Sequence, residues 1–259
     1  MTYETLEYSI SGKTALISLN RPSMNPLNKQ LFIELFLIMN EIDHNDEIRA
    51  VIITGKGERA FAAGADMSEM KGLDANEMSK WNHISRRAFD RVANLGKPVI
   101  AAINGLALGG GCELALCCDF RICSDNAKIA LPEINLGIIP GGGGTQRLQR
   151  LVGQAKAKEL LYFGDMITAE DALLCGLINK VVPLEELIDA AKEWADKLAE
   201  KPAVALRMMK KAVDTGAELD LNQALEIESL CFGNTYTTQD RIEGMTAFFE
   251  KRKPIYVGY

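Results

Sequence analysis

The least polar stretch of the chain, residues 98–118, constrains its fold more than any other feature. It is nearly as long as a membrane-spanning helix, but Asn104, Glu113 and several glycines interrupt it. A carboxylate facing lipid in the middle of a span would cost several kcal/mol. We therefore expect the stretch to be buried in a water-soluble protein. A carboxylate in such a core is paired or functional, because burying it alone is costly.

Charge and composition narrow the class of protein further. The 259 residues carry a net charge of −6 and a sequence pI near 5.2, so no overall positive field favours nucleic acid. The hydrophobic share of 47% and charged share of 25% are typical of a globular protein with one large domain. Residues 1–10 lack the regions of a signal peptide. We expect a cytoplasmic protein that binds neither nucleic acid nor membrane.

Cysteine and histidine do not indicate a metal site. The six cysteines lie in apolar surroundings and form no CxxC pair, so we expect them to be reduced core residues. Only His44 and His83 could join a metal site, and both are expected at or near the surface. The sequence therefore predicts neither a metal nor another cofactor.

Strand patterns and helix patterns alternate up to about Thr168, and helix patterns follow one another after it. The predicted strands cover residues 6–10, 13–19, 50–54 and 98–103, and the predicted helices cover residues 28–42, 79–95, 168–175, 184–199, 203–215, 219–236 and 238–251. Such alternation is typical of an α/β fold with mostly parallel strands. The later residues predict a helical C-terminal part.

Three segments rich in glycine and small residues, residues 61–66, 104–116 and 131–147, exceed what a core requires. In the second, a predicted strand leads through three glycines into a helix. Glycine lets a ligand approach the backbone, and the first N–H groups of a helix lack partners within it. This arrangement favours binding of an oxyanion. Close packing of the helix on the sheet would use glycine equally well, so both interpretations stay open.

Nucleotide sites and nucleophilic sites find little support. No GxxxxGKS/T phosphate loop occurs, and residues 55–60 match the looser GxGxxG/A form without opening a helix, as a dinucleotide site requires. There is no GxSxG elbow, and neither histidine lies in a glycine-rich segment. Cys112 stands at a predicted helix start, where the pKa of a thiol can fall, but its segment holds no base.

Glu113 and Glu133 are the candidate chemical groups. Each has apolar neighbours in a glycine-rich segment, and a salt bridge from Arg121 or Arg147 is the structural alternative. Adding water to a double bond conjugated to a carbonyl needs a base for water, an acid for the α-carbon and a stabilised enolate oxygen. Two neighbouring carboxyls supply acid and base, because like charge raises the pKa of one of them.

These motifs together resemble the crotonase (enoyl-CoA hydratase) superfamily over essentially the whole chain. The matching segments are residues 17–22 (ISLNRP), 61–66 (FAAGAD), 104–113 (NGLALGGGCE), 132–133 (PE), 144–147 (GTQR) and 245–253 (MTAFFEKRK). The resemblance implies a spiral of β-β-α units with a helical C-terminal trimerisation region, assembled as a trimer or a dimer of trimers. Residues 1–195 would form the core with the acyl-CoA site, and residues 196–259 the oligomerisation region.

The resemblance also implies roles for individual residues. The backbone N–H groups of Ala65 and Gly110 would form the oxyanion hole for the thioester carbonyl. Glu113 would activate water and Glu133 would protonate the α-carbon, with the water held between them. Further substrate contacts are expected from Ala63, Asp66, Met67, Gly109, Pro132 and Gly141. Arg59 and Lys251 would meet the CoA phosphates, and Phe232 would add a further contact. Lys251 and Phe232 would come from a neighbouring subunit.

The implied activity is hydration of a 2-enoyl-CoA to a 3-hydroxyacyl-CoA, as in fatty-acid β-oxidation. Family isomerases and dehalogenases generally lack one of the two glutamates, so the pair favours hydration or its reverse. The alternatives are a branched-chain enzyme such as a methylglutaconyl-CoA hydratase, a 3-hydroxyacyl-CoA dehydratase, and a non-catalytic protein that binds acyl-CoA or RNA.

Overall fold

Residues 3–259 are described by the structure, a computed structural model. The strands are β1 Leu6–Ser11, β2 Thr14–Leu19, β3 Ala50–Gly55, β4 Ala60–Ala63, β5 Val99–Ile103, β6 Leu106–Leu108, β7 Phe120–Ser124, β8 Lys128–Ala130, β9 Ile167–Thr168 and β10 Lys180–Val182. The helices are α1 Lys29–Asp43, α2 Met67–Met70, α3 Ala75–Ala93, α4 Gly110–Leu116, α5 Gly144–Phe163, α6 Ala169–Leu174, α7 Leu187–Ala199, α8 Ala203–Gly216, α9 Leu221–Thr235 and α10 Gln239–Glu250, with 3₁₀ turns at Pro132–Leu136 and Leu184–Glu186.

Local signals placed most of the predicted elements correctly, but they missed the strands β4, β6, β7, β8, β9 and β10 and the helices α2 and α5. The predicted hairpin is confirmed, with β1 antiparallel to β2 across a turn where Gly12 has a φ of +58°. The Asn28 side chain accepts from the N–H of Leu31 and caps α1, as predicted. The predicted start of α3 at residue 79 is wrong. Asp74 and Glu77 form a capping box before an exposed first turn that shows no apolar periodicity.

The β-β-α spiral is confirmed by the pairing of the strands. Three successive units, beginning with β3, β5 and β7, each place one strand in the larger sheet and the next strand in the smaller one. The larger sheet has the order β1-β2-β3-β5-β7-β10, and the smaller sheet has the order β4-β6-β8-β9. Within each sheet the strands of successive units are parallel. Each turn of the spiral therefore adds one parallel strand to both sheets.

The central strands of the larger sheet are buried on both faces. In β3, Val51 and Ile53 pack in the main core, while Ala50 and Ile52 face a second cluster beneath α7. This alternation follows from the two-residue period of a strand. It also explains the unbroken apolar sequence of β3, because a strand covered on both sides needs no polar face.

Register in the smaller sheet determines where the candidate residues lie. Ala63 at the end of β4 pairs with Leu108 of β6, which pairs in turn with Ala130 of β8. Because the three strands are parallel, the residues that follow them leave the sheet at the same edge. The three glycine-rich segments are thus brought together, although up to about seventy residues separate them in the chain.

The C-terminal part is helical, as the sequence predicts. Helices α8 and α9 pack against each other, whereas many of their apolar side chains lie on the surface of the single chain. In residues 3–259, no helix is both long enough and apolar enough to cross a membrane.

Candidate active site

A cavity of about 700 Å³ opens at the edge where β4, β6 and β8 end. Its walls include both candidate glutamates, Glu113 and Glu133, and both candidate oxyanion residues, Ala65 and Gly110. The sequence prediction that these residues share one site therefore agrees with the geometry. Helix α3 forms another part of the wall with Trp81 and its neighbours.

Glu113 projects from α4 into a turn of glycines and is only 4% exposed. Its Oε1 accepts the N–H of Gly142 at 2.7 Å and the N–H of Gly144 at 2.8 Å. A Cβ on Gly142 would lie 2.7 Å from Oε2 of Glu113 and 2.5 Å from the ring of Phe89, so glycine is required there. Burial raises the pKa of the Glu113 carboxyl, and the backbone N–H groups of the turn oppose that shift.

Glu133 lies in the 3₁₀ turn Pro132–Leu136 and is held quite differently. Its Oε2 is buried, yet it has no hydrogen-bond partner anywhere in residues 3–259. Burial, and secondarily the charge of Glu113, raises the pKa of Glu133 to about 7. Its Oε1 lies 3.0 Å from where a Cβ on Gly109 would stand, so a side chain there would crowd the carboxyl. Like charge was expected to dominate this shift; burial is the larger cause.

The alternative of a structural salt bridge is wrong for both glutamates. Arg121 donates to the carbonyls of Ala115, Cys118 and Leu177, and Arg147 pairs with Asp90 at 3.3 Å. Within the described part of the chain, neither Glu113 nor Glu133 has a cation within 4.0 Å. Two carboxyls without a salt bridge therefore share one cavity, a costly arrangement that is typical of a functional site.

The oxyanion candidates present two backbone N–H groups to the cavity. A Cβ on Gly110 would lie 3.5 Å from the nitrogen of Ala65, so the two residues are close neighbours. Gly110 is the first residue of α4, where an N–H has no partner within the helix. Among residues 3–259, neither the Ala65 N–H nor the Gly110 N–H finds an acceptor. Two unpaired donors side by side suit a carbonyl oxygen that gains negative charge.

The other predicted substrate contacts divide into two groups. The residues that line the cavity are Ala63, Met67, Gly109, Pro132 and Gly141. Asp66 does not line it, because its carboxylate caps α2 through Ser68 and pairs with Arg21 at 3.0 Å. Arg59, Phe232 and Lys251 are exposed and lie outside the cavity of their own chain.

Helix α3 contributes residues that the sequence prediction missed. Trp81, Asn82, Ser85 and Phe89 line the cavity, and Phe32 of α1 joins them. The ring of Phe32 meets Trp81 at 5.4 Å and Phe89 at 5.5 Å, both edge to face. The apolar stripe of α3 predicts only a buried face. The one available signal was a pair of polar residues, Asn82 and Ser85, beside that stripe.

The cysteines carry none of this chemistry. All six are free, and Cys175 is only half-buried, so the prediction of core residues holds for the other five. Burial raises the pKa of the Cys112 thiol, which opposes formation of the thiolate that a nucleophile needs. Residues 3–259 contain no cluster of three or more side chains suited to hold a metal ion.

The sequence of the chain is similar to those of known proteins. The family model described as enoyl-CoA hydratase/isomerase matches residues 9–258. A short-chain-enoyl-CoA hydratase from Clostridium acetobutylicum is 48% identical over 243 residues, which are 93% of each chain. A crotonyl-CoA hydratase from Syntrophomonas wolfei is 45% identical over 258 residues, which are 99% of each chain.

A solved structure agrees over the same length. The crystal structure of an enoyl-CoA hydratase from Bacillus anthracis matches with a TM-score of 0.96 and 43% identity, covering 99% of this chain and 100% of that one. The resemblance predicted from the motifs is therefore confirmed, together with the spiral fold. The chain belongs to the enoyl-CoA hydratase/isomerase family of the crotonase superfamily.

Proposed function

We propose that the protein is an enoyl-CoA hydratase, a hydro-lyase that adds water reversibly across the 2,3 double bond of a 2-enoyl-CoA. The observation that carries the proposal is a pair of carboxyls without a salt bridge beside two unpaired backbone N–H groups in one cavity. The names of the relatives, a short-chain-enoyl-CoA hydratase and a crotonyl-CoA hydratase, support it.

The first task of the site is to activate the thioester. Its carbonyl oxygen accepts hydrogen bonds from the N–H groups of Ala65 and Gly110. As water attacks C3, negative charge moves onto that oxygen, and donors already aimed at it stabilise the enolate without reorganising. This drives the reaction through the conjugated system without a metal or an organic cofactor.

The second task is proton transfer, and the two glutamates divide it. The N–H groups of Gly142 and Gly144 engage Oε1 of Glu113 and favour its ionised form, which leaves Oε2 to take a proton from water. Glu133, with a pKa of about 7 and an unpaired Oε2, is the acid that protonates C2. One proton is thus shared by the pair. Exchange with solvent through the open cavity returns the pair to its starting state after each turnover.

The acyl wall favours short, unbranched substrates. The edge-to-face rings of Phe32, Trp81 and Phe89 border the cavity, and Met70 and Met78 add flexible apolar surface beside them. We expect these large side chains to limit the length of the acyl chain on this side of the cavity. Crotonyl-CoA, the smallest linear 2-enoyl-CoA with a methyl at C3, fits that description best.

We also propose that the chain forms a trimer or a dimer of trimers through residues 196–259. The large apolar side chains of this region that are exposed in the single chain are Met209, Val213, Leu219, Leu221, Leu225, Leu230, Phe232, Tyr236, Ile242, Met245, Phe248, Phe249, Ile255, Val257 and Tyr259. So much exposed apolar surface is typical of an interface between subunits. Residues 1–195 would then be the core that carries the site.

The same assembly would complete the CoA site. Arg59 and Lys251 are exposed and form no ion pair within residues 3–259, so both cations are free to meet phosphates. In the proposal, Lys251 and Phe232 reach the CoA of a neighbouring subunit. We place the enzyme in the cytoplasm, where six reduced cysteines are stable.

The proposed function is tested by incubating the protein with 2-enoyl thioesters and following the loss of the conjugated-enoyl absorbance. The panel holds crotonyl-, hexenoyl-, decenoyl- and methylglutaconyl-CoA, and 3-hydroxybutyryl-CoA tests the reverse reaction. We expect crotonyl-CoA to react fastest. Fastest turnover of methylglutaconyl-CoA would assign the branched-chain function instead. Binding of these thioesters without turnover would leave only a binding protein.

A further inference from the structure

The direction of the Ala65 N–H is set by a hydrogen bond on the other side of its peptide unit. The Ala65 N–H and the Gly64 carbonyl belong to one trans peptide, in which the two groups point in opposite directions. The Gly64 carbonyl accepts the N–H of Leu27 at 2.9 Å. On the far side of Ala65, the N–H of Asp66 donates to the Leu27 carbonyl at 2.8 Å. Leu27 therefore holds the peptide so that the Ala65 N–H faces the cavity.

The Leu27 N–H is itself held by a cation. It shares a peptide unit with the Pro26 carbonyl, and that carbonyl accepts Nη1 of Arg21 at 2.6 Å. A continuous row of donors and acceptors thus runs from the Arg21 guanidinium through two peptide units to the Ala65 N–H. Each hydrogen bond in such a row polarises the next, by about 10–30% per bond.

Arg21 is well placed to hold this row rigidly. Its Nη2 lies 3.0 Å from Oδ2 of Asp66, so one planar guanidinium joins the two segments that flank the Ala65 peptide. The pair is largely shielded, with side-chain exposures of 24% for Arg21 and 18% for Asp66. Asn25 accepts the N–H of Arg21 and donates to the Ala60 carbonyl at 2.8 Å, which ties the loop to β4.

The same loop contacts the second oxyanion residue. The Leu27 side chain is fully buried, and its Cδ1 lies 3.3 Å from where a Cβ on Gly110 would stand. A shift of the Arg21–Leu27 loop would therefore disturb both N–H donors. Arg21 does not line the cavity, so it acts on the two N–H donors through the loop and not by contact with the substrate.

We propose that Arg21 is a positioning residue of the oxyanion hole, which aligns and polarises the Ala65 N–H through the Pro26–Leu27 and Gly64–Ala65 peptides. The inference rests on the proposed function and deepens it. Arg21 acts through hydrogen bonds that strengthen as charge develops on the thioester oxygen. It should therefore contribute more to the transition state than to substrate binding.

Arg21→Met tests the proposal, with Arg91→Met as the matched control. Arg91 is likewise shielded, likewise outside the cavity lining, and likewise bridges two acceptors, Oδ1 of Asn40 and Oδ2 of Asp43, but both acceptors belong to α1 and not to the segments around Ala65. Two readouts are measured: kcat and KM for crotonyl-CoA, and the red shift of 4-dimethylaminocinnamoyl-CoA on binding. The shift reports polarisation of the thioester carbonyl and does not depend on turnover.

For Arg21→Met we expect kcat to fall about tenfold while KM changes less than about twofold, since a misaligned donor costs less than a deleted one. The bound probe should show a smaller red shift. Arg91→Met should keep the wild-type kcat and the wild-type shift. Arg21→Lys should lie between the two, because an ammonium supplies charge without the planar fork that spans both acceptors. If Arg21→Met does not fold, Arg21→Lys carries the test.

The possible outcomes separate this inference from the proposed function. The role of Arg21 would be overturned if the Arg21→Met variant showed the same kcat and the same red shift as Arg91→Met, and hydration would still stand. If Arg21→Met does not fold, Arg21→Lys takes its place in this comparison. A wild-type protein that shifts the probe but hydrates no enoyl-CoA would overturn the proposed function, and the shift in the Arg21 variant would still decide the inference. A wild-type protein that binds the probe without any shift and hydrates no enoyl-CoA would overturn both.

Discussion

The two walls of the cavity are built on different principles. The strand-end wall consists of the residues that follow β4, β6 and β8 together with the turn 141–144, and it works through backbone N–H groups and two carboxyls. The α3 wall consists of Trp81, Asn82, Ser85 and Phe89, and it presents side chains of ordinary size and polarity. The first wall is suited to the chemistry common to all 2-enoyl-CoA substrates. The second is suited to choosing among them.

This difference has an experimental consequence. A change in the strand-end wall should lower turnover for every substrate alike. A change in the α3 wall should instead alter the order in which substrates are preferred. The expected effects therefore differ in kind as well as in size.

The largest effect is expected from Glu113→Gln and Glu133→Gln in the strand-end wall. Each variant removes one half of the acid–base pair and should lower kcat roughly 10²–10⁴-fold. Because glutamine has nearly the same shape, the fold should persist, which circular dichroism and thermal unfolding can verify. Turnover close to wild type in either variant would remove the paired mechanism.

A somewhat smaller effect is expected from removing one oxyanion donor. Gly110→Pro deletes an N–H at the first position of α4, a place where a helix tolerates proline, and should lower kcat at least about 10²-fold. Gly110→Ala keeps the N–H, and its added Cβ meets Cδ1 of Leu27 at 3.3 Å and lies in ordinary contact with the Ala65 nitrogen at 3.5 Å. It should lose far less. Equal losses in the two variants would show that bulk rather than the missing donor is responsible.

The pH dependence of kcat/KM tests the protonated state of Glu133. Its raised pKa of about 7 means that the carboxyl carries the shared proton below that pH and loses it above. We therefore expect kcat/KM to fall as pH rises through about 7, approaching a tenfold loss per pH unit. The residual activity of Glu133→Gln should lack this limb. A profile flat to pH 9 in the wild type would contradict the assignment.

The two walls also differ in how far the sequence predicts them. The strand-end wall can be recognised in the sequence because the residues that it requires are rare in an ordinary core. Gly142 has no room for a side chain, and Glu113 is a carboxylate within an apolar run. Register in the smaller sheet then brings distant segments together, and periodicity alone could not reveal that. Here the family resemblance supplied what local patterns could not.

The α3 wall gives no comparable signal. Trp81 and Phe89 have the spacing of an ordinary amphipathic helix, and a residue that faces a cavity looks in sequence like one that faces the core. Whether such a residue borders empty space depends on what packs opposite it. For Phe89 that partner is Gly142, a residue of another spiral unit. Substrate preference is therefore the part of the function that sequence patterns predict least.

The α3 wall should yield the smallest effect, a change of preference. Trp81→Ala removes a ring that packs on Phe32 and donates to Glu69, and it enlarges the acyl side of the cavity. We expect the ratio of kcat/KM for decenoyl-CoA to that for crotonyl-CoA to rise about tenfold, the size typical of a change in apolar pocket contacts. Trp194→Ala is the control, since Trp194 packs edge to face on Phe120 in the second core. Trp194→Ala should lower the stability of the protein and leave the ratio unchanged. Equal ratios in the wild type, Trp81→Ala and Trp194→Ala would show that the α3 wall does not select the acyl chain.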